Sequence, residues 1–377
     1  MREYLEGGSE DERTLGRNRD AFSEVRFVHR SLVDVAQRSL ATTVFDQPSA
    51  LPIAISPTGF NGLLWKHADI ALARAAKAAG VPFTASTVSS DSIEAIAKEA
   101  GRLWFQLYVI RDKTAVEPLI ERADHAGCEA LLVTVDAPVL GNRSWDTRNY
   151  IGKLKLSLRA KLDVLFHLRW LLGVFLPKGL PGFGNLDAFL PPERRSPLDG
   201  ARYMGSQMNS GLVWDDIARI RVRWPRKLVL RGLLAGDDVE RAIALGCDGV
   251  VLSNHGGRQL DGEISALDAL PEIVKAVNRR ITVMIDGGFR RGTDIAKALA
   301  LGADVFLLGR ATLYGVAAGG EAGASHALQI LRDELDRVLA LIGCPNVSEL
   351  GRGYLFGNLP NLDRDKRVVD LERAAAT

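Results

Sequence analysis

Eight short apolar runs punctuate the chain, at 52–56, 82–85, 103–107, 130–135, 227–230, 249–253, 282–286 and 304–308. Each is too short for a globular helix and is bounded by glycine, proline or small polar residues, which is the pattern of a buried strand. Amphipathic stretches at 70–79, 115–126, 238–245 and 293–301 lie between them, and Gly80, Gly127, Gly246 and Gly302 stand where a helix would turn left-handed and stop. Strand and helix in alternation imply a parallel α/β sheet. Eight such units are the number that closes a (β/α)8 TIM barrel, whose working groups gather at the carboxyl ends of the strands. The competing arrangement is an open doubly wound sheet, but no G-x-G-x-x-G follows the first run.

The 377 residues suffice for one barrel domain covering 1–377. The interval between strands four and five is far longer than the others, so an insertion is expected at 141–210. Within it, 153–178 reads KLKLSLRAKLDVLFHLRWLLGVFLPK, with Lys153, Lys155, Arg159, Lys161, Arg169 and Lys178 against the single acid Asp163. A basic, Leu- and Trp-rich segment too short and too charged to span a bilayer suits its interface. The alternative is an active-site lid or subunit contact that buries the same apolar side chains in protein. Over the whole chain 48 basic residues balance 46 acidic ones, which gives no reason to expect nucleic acid. Cys128, Cys247 and Cys344 are widely spaced, as reduced thiols in a cytoplasmic protein are, and no metal-ligand spacing is present. The polar, acidic start is not a signal peptide, and no apolar window is long enough for a transmembrane helix.

The strand ends carry the chemistry. In order they read Ser56-Pro57-Thr58-Gly59, then Ser86 with Val88, Gln106 with Tyr108, Thr134 with Asp136 and later Arg143, then Arg231. Ser253-Asn254-His255-Gly256-Gly257-Arg258 follows strand six, Asp286-Gly287-Gly288-Phe289-Arg290 strand seven and Gly309-Arg310 strand eight. A histidine accepts protons near neutral pH and an arginine forks onto a carboxylate, so His255 and Arg258 suit an anionic substrate that loses a proton. As a bare spacing H-x-x-R is weak; its meaning depends on what the other strands bring. The glycine loops beside Arg290 and Arg310 match the phosphate site that barrels build from their last two strands.

Three longer stretches sharpen this. SNHGGRQLDG, DGGFRRGTDIAKALALGA and LGR resemble the FMN-dependent L-2-hydroxy-acid oxidase and dehydrogenase family, and the resemblance runs from Tyr4 to about Gly343. SPTGFNGLLW, WFQLYVIRD, LLGRATLYG and the basic insertion look most like its membrane-associated mandelate dehydrogenase branch. The resemblance implies that His255 is the base and Asp136 the carboxylate that stabilises its imidazolium, raising its pKa. It implies that Arg258, Arg143 and Tyr4 bind the substrate carboxylate, and that Tyr108 bonds near the substrate hydroxyl. For FMN it implies Pro57, Thr58 and Gly59 near the reactive nitrogen, Ser86, Gln106 and Thr134 along the polar edge, Arg231 against the charge of the reduced ring, and Ser253 among the cofactor-binding residues. Asp286, Gly288, Arg290, Gly309 and Arg310 complete that set.

Three positions depart from the family pattern. Arg231 replaces the usual lysine, keeping the charge but not the shape. Val88 stands where short-chain oxidases carry tryptophan, leaving room for an aryl or branched substrate, and Gly59 stands where they carry alanine. Family members also carry a helix ahead of the position that Tyr4, close to Met1, occupies here. The expected activity is oxidation of a bulky, mandelate-like L-2-hydroxy acid to the 2-oxo acid. Electrons pass through FMN to a membrane quinone in a homotetramer lying on the inner face of the membrane. The alternatives are a soluble oxidase that makes peroxide, an L-lactate dehydrogenase, an FMN-barrel isomerase and a flavin-less membrane scaffold.

Overall fold

The computed structural model describes residues 2–144, 157–158, 162–163, 166–176, 179, 181–190 and 197–356. Its centre is a closed barrel of eight parallel strands: β1 (Ile53–Ile55), β2 (Phe83–Ser86), β3 (Leu103–Tyr108), β4 (Ala130–Thr134), β5 (Lys227–Leu233), β6 (Gly249–Leu252), β7 (Thr282–Asp286) and β8 (Val305–Leu308). All eight expected strands are present and differ only at their ends, and β8 returns to β1 through Leu308 opposite Ile55. β5 runs furthest beyond expectation because its register slips between Arg231 and Leu233.

Two helices, α1 (Arg2–Glu6) and α2 (Arg13–Glu24), precede the barrel. Around it lie α3 (Ala68–Ala79), α4 (Ile93–Ala97), α5 (Lys113–His125), α6 (Pro197–Gln207), α7 (Trp214–Arg223), α8 (Gly236–Ala244), α9 (Ala266–Val277), α10 (Gly292–Ala300) and α11 (Arg310–Ile342), the last bent at Gly319 and Gly320. Gly80, Gly127, Gly246 and Gly302 all adopt positive φ just after their helices, as their positions imply.

Strand side chains alternate between two cores. Leu103, Phe105, Leu107, Leu131, Val133, Val250, Leu252 and their counterparts face the helices. Ala54, Trp104, Ala130, Leu132, Val229, Val251, Met284, Val305 and Leu307 fill the barrel interior. A hairpin of Thr42–Val44 with Gln47–Ser49, unassigned from sequence, closes the amino end: Val44 and Phe45 join the interior cluster, and the Phe45 ring lies 5.4 Å from that of Trp104. The carboxyl end therefore remains the open one.

The insertion is described in part. Lys153, Lys155, Arg159, Lys161 and Lys178 lie outside the described residues. Trp170 Nε1 donates to the Leu63 carbonyl at 2.6 Å, and the Phe183 ring stacks on that of Phe60 at 4.7 Å, so the insertion is pinned to the segment after β1. No helix among the described residues is long and apolar enough to cross a membrane. Cys128, Cys247 and Cys344 are buried free thiols, and burial pushes Cys128 and Cys247 up to about 12.

Candidate active site

The alternation that builds the interior core also builds the site. Two residues beyond Ala54 is Ser56; two and four beyond Trp104 are Gln106 and Tyr108; two and four beyond Leu132 are Thr134 and Asp136. The same step leads from Val229 to Arg231, from Val251 to Ser253 and His255, from Met284 to Asp286 and Gly288, and from Leu307 to Gly309. Once the hydrophobic positions face inward, these polar positions face the carboxyl-end mouth without further instruction.

There they surround a cleft of about 240 Å³ that opens to solvent. Tyr4, Pro57, Thr58, Gly59, Ser86, Val88, Tyr108, Arg143, Arg231, His255, Arg258, Asp286, Gly288, Arg290, Gly309 and Arg310 all line it. Four expected residues stand one layer behind. Gln106 Nε2 donates to Thr134 Oγ1 at 3.0 Å while its Oε1 accepts from Ser86 Oγ at 2.7 Å, and Ser253 Oγ accepts from the His255 N–H at 3.0 Å. Asp136 sits behind His255. The cleft also takes an apolar wall that was not expected from the sequence: Leu140, Met204, Met208 and Leu313. Met204 comes from α6, inside the insertion, and Met208 directly follows that helix, where no motif guides a reading.

His255 is held at φ 58°, a strained value for a residue with a side chain, and Gly256 and Gly257 continue the left-handed run. A Cβ at Gly257 would lie 2.7 Å from the Leu15 nitrogen, so α2 can pack against this loop only over glycine. His255 Nδ1 lies 3.0 and 3.1 Å from the two Asp136 carboxylate oxygens. Nδ1 therefore carries the proton and donates it to Asp136, which leaves the Nε2 lone pair toward the cleft, 3.3 Å from the Tyr108 hydroxyl. Gly232 permits this arrangement, since a Cβ there would meet the Asp136 Cβ at 2.5 Å.

The electrostatics correct one expectation. Asp136 does favour the imidazolium, but complete burial and the Arg231 guanidinium outweigh it, so the His255 pKa falls below 6.5 rather than rising. Burial opposes ionisation of Asp136 too, yet the His255 and Arg231 charges hold its carboxyl below the ordinary range. Burial pushes the Tyr108 phenol up to about 12, so it remains a hydrogen-bond donor. Arg231 is itself buried; its Nε and one terminal nitrogen donate to Asp286 Oδ2 at 3.0 and 2.7 Å, and the other terminal nitrogen lies 3.4 Å from His255 Nδ1. The negative charges of Asp286 and Asp136 more than offset the burial that would lower its pKa.

The remaining guanidinium groups crowd one end. Arg258 donates to the Tyr4 and Gly7 carbonyls at 2.9 and 2.6 Å and lies over the Tyr4 ring. Arg310 donates to the carbonyls of Leu5, Gly256 and Gly7, and Arg143 to the Arg258 carbonyl. Burial, then repulsion from Arg258 and Arg290, lowers Arg310 to about 10. α1 thus lies across the mouth, with the Tyr4 hydroxyl donating to the Gly59 carbonyl at 3.0 Å.

A cleft with this histidine, this carboxylate and a concentrated positive end invites comparison with known proteins. Residues 1–356 match the family model described as FMN-dependent dehydrogenase. The chain belongs to the FMN-dependent dehydrogenase family. It is 46% identical over 356 residues to (S)-mandelate dehydrogenase of Pseudomonas putida, covering 94% of this chain and 88% of that protein. It is 42% identical over 358 residues to L-lactate oxidase of Nostoc sp., covering 94% and 92% of the two chains. Among solved structures, the crystal structure of the monotopic membrane protein (S)-mandelate dehydrogenase superposes with a TM-score of 0.90 at 45% identity and 94% coverage of each chain.

The residues in place fit the cofactor of an FMN-dependent dehydrogenase. Asp286 Oδ1 is buried with no hydrogen-bond partner among the described residues, an acceptor suited to a ribityl hydroxyl. Arg290 and Arg310 bring two guanidinium groups to the Gly288 and Gly309 loops, and α11 begins at Arg310, so its free N–H groups add to a dianion site. Ser86 and Arg231 line the deeper part, where a polar ring edge would lie.

Proposed function

We propose that this FMN-dependent dehydrogenase oxidises an L-2-hydroxy acid with an aryl or other bulky side chain, of the mandelate type, to its 2-oxo acid and passes the electrons to a membrane quinone. The observation that carries the reading is the orientation of His255, whose unprotonated Nε2 faces the cleft beside the Tyr108 hydroxyl while Nδ1 is tied to Asp136. FMN, once bound, supplies the two-electron acceptor. Arg143 and Arg258 take the substrate carboxylate, and Tyr4, across which Arg258 lies, steadies that end. His255 Nε2 takes the proton that the substrate loses, Asp136 stabilises the resulting imidazolium, and the Tyr108 phenol donates to the substrate hydroxyl oxygen. Arg231 and Ser86 hold the ring edge, with Gln106 and Thr134 orienting Ser86 from behind, and Ser253 steadies the backbone of His255. Asp286, Gly288, Arg290, Gly309 and Arg310 hold the ribityl phosphate chain, and Pro57, Thr58 and Gly59 form the wall beside the ring.

The apolar wall of Val88, Leu140, Met204, Met208 and Leu313 supports an aryl substrate over a short one. Leu158, Phe166, Leu168, Leu172 and Leu176 of the insertion are exposed beside a strongly basic sequence, which supports a peripheral seat on the anionic inner face of the membrane. The same insertion supplies Met204 to the cleft wall, so the substrate site and the apolar surface are joined by one segment. That connection supports a membrane quinone as the acceptor. A homotetramer completes the reading.

Anaerobic addition of S-mandelate, lactate and glycolate to the purified holoenzyme, with the flavin's visible band followed, tests it. Bleaching by S-mandelate in preference to the others is expected, and bleaching by none would overturn it. The likeness to L-lactate oxidase favours a second reading in which oxygen is the acceptor. Rapid stoichiometric peroxide formation on reoxidation would establish that reading against the quinone.

A further inference from the structure

Asp69 stands in the first turn of α3, fully buried and outside the cleft. Its Oδ2 accepts from the backbone N–H groups of Ser90 and Asp91 at 2.8 and 3.2 Å, and its Oδ1 accepts from Asn61 Nδ2 at 2.8 Å. The same Asn61 nitrogen lies 2.9 Å from Thr58 Oγ1 and 3.2 Å from the Thr58 carbonyl, so its second hydrogen is shared between them. One carboxylate thus ties the loop after β1, which holds Thr58 and Gly59, to the loop after β2, which holds Val88. The two loops are also joined by the Phe60 N–H to the Val88 carbonyl at 2.9 Å, by the Gly62 N–H to Ser90 Oγ at 2.9 Å and by His67 Nδ1 with Asp91 Oδ1 at 2.7 Å.

The direction of these bonds gives Asp69 a task beyond filling space. A carboxylate only accepts, so the group that Asn61 turns toward it must be the NH₂, and that NH₂ is then available to Thr58. We propose that Asp69 is a positioning residue: by fixing the amide orientation of Asn61 it sets Thr58, and with it the Gly59 and Val88 walls, against the flavin. The inference rests on the reading that Thr58 and Gly59 flank the bound ring. An asparagine at position 69 would present its own NH₂ to Asn61 while its oxygen accepts from Ser90 and Asp91. The Asn61 amide would then turn its oxygen inward, acceptor against acceptor, onto the Thr58 carbonyl.

Burial and the neighbouring Asp91 push the Asp69 carboxyl up to about 7, against the opposing bonds from Asn61 and the two N–H groups. Measurements at about pH 8.5 therefore keep it ionised. The holoenzyme is titrated with sulfite, which adds to the oxidised flavin ring and reports its immediate surroundings without turnover; anaerobic flavin reduction by S-mandelate is followed in parallel. Asp69→Asn should retain FMN, bind sulfite about tenfold more weakly and reduce its flavin about tenfold more slowly, with KM changed less than kcat. Asn61→Ser keeps the bonds from Ser90 and Asp91 to Asp69 and removes the amide that connects Asp69 to Thr58, so it should reproduce both losses. The double variant should be no worse than either single one. Sulfite affinity within about twofold of wild type in either variant, or losses that add in the double variant, would overturn the proposal. If Asp69→Asn does not fold, Asn61→Ser alone decides. Failure of every hydroxy acid to reduce the wild-type flavin would sink the proposed activity and leave the sulfite comparison still decisive for Asp69.

Discussion

Asp136 presents both carboxylate oxygens to one nitrogen of His255, at 3.0 and 3.1 Å, while Arg231 approaches that same nitrogen to 3.4 Å. The imidazole is caught between a charge that stabilises its protonated form and one that opposes it. With burial added the neutral form wins, and the pKa lies below 6.5. Only neutral His255 can accept the substrate proton, so flavin reduction should rise with pH through a midpoint below that value. Asp136→Asn removes the stabilising charge: the midpoint moves lower still, and the plateau rate falls about 10²-fold because the imidazolium formed in the reaction loses its partner. Anaerobic stopped-flow reduction across pH tests both, and a midpoint that moves up would contradict the charge assignment.

Arg231 and Asp286 form a fork-on-carboxylate pair in which both side chains are about 6% exposed. Arg231→Met leaves Asp286 charged and uncompensated in the interior, and should cost about 3–5 kcal/mol of stability. Arg231→Lys keeps the charge but cannot make both bonds, so its loss should be smaller while flavin-reduction kinetics change. Denaturant unfolding compares the two variants. Equal stability of Arg231→Met and wild type would show that the pair contributes nothing net.

The fold was legible because two independent signals agreed: short apolar runs bounded by turn residues marked the strands, and glycine marked the helix ends. The ends of those runs carried most of the site, since a residue two or four beyond an interior apolar position has only the mouth to face. Position along the chain does not reveal charge balance in three dimensions. Asp136 was readable as a partner of His255, but the burial and the Arg231 contact that reverse the net shift arise only once β5 stands beside β6. Met204 and Met208 were unreadable because long, flexible side chains in an insertion carry no periodicity tied to the barrel. The Val44–Phe45 plug was missed because its strands, TTV and QPS, are mostly polar and one carries a proline.

Phe166 is 85% exposed, and Leu168 and Leu172 are each 61% exposed, on the described part of the insertion. Apolar groups so presented beside a basic sequence should hold the protein on anionic vesicles through both burial and charge. Replacing all three with serine should shift the enzyme from the vesicle pellet to the supernatant in a sedimentation assay and leave anaerobic flavin reduction within about twofold, since none of the three lines the cleft. Undiminished pelleting would argue that these side chains face a protein partner instead.

Gly59 and Val88 are matched to each other across the cleft wall. A Cβ built on Gly59 would lie 2.4 Å from Val88 Cγ2, closer than any real contact, while the Gly59 carbonyl also accepts from the Tyr4 hydroxyl. Gly59→Ala must therefore displace Val88 or the loop that carries Tyr4's partner, and either movement narrows the space for a bulky substrate. S-mandelate should lose about tenfold or more in kcat/KM, with lactate less affected. Val88→Ala removes the methyl groups that the new Cβ strikes, so the double variant should recover most of the mandelate activity although Val88→Ala alone improves nothing. Such coupling between two sites is what direct steric contact produces. Strictly additive losses would mean that Gly59 acts through the flavin or the backbone rather than through Val88.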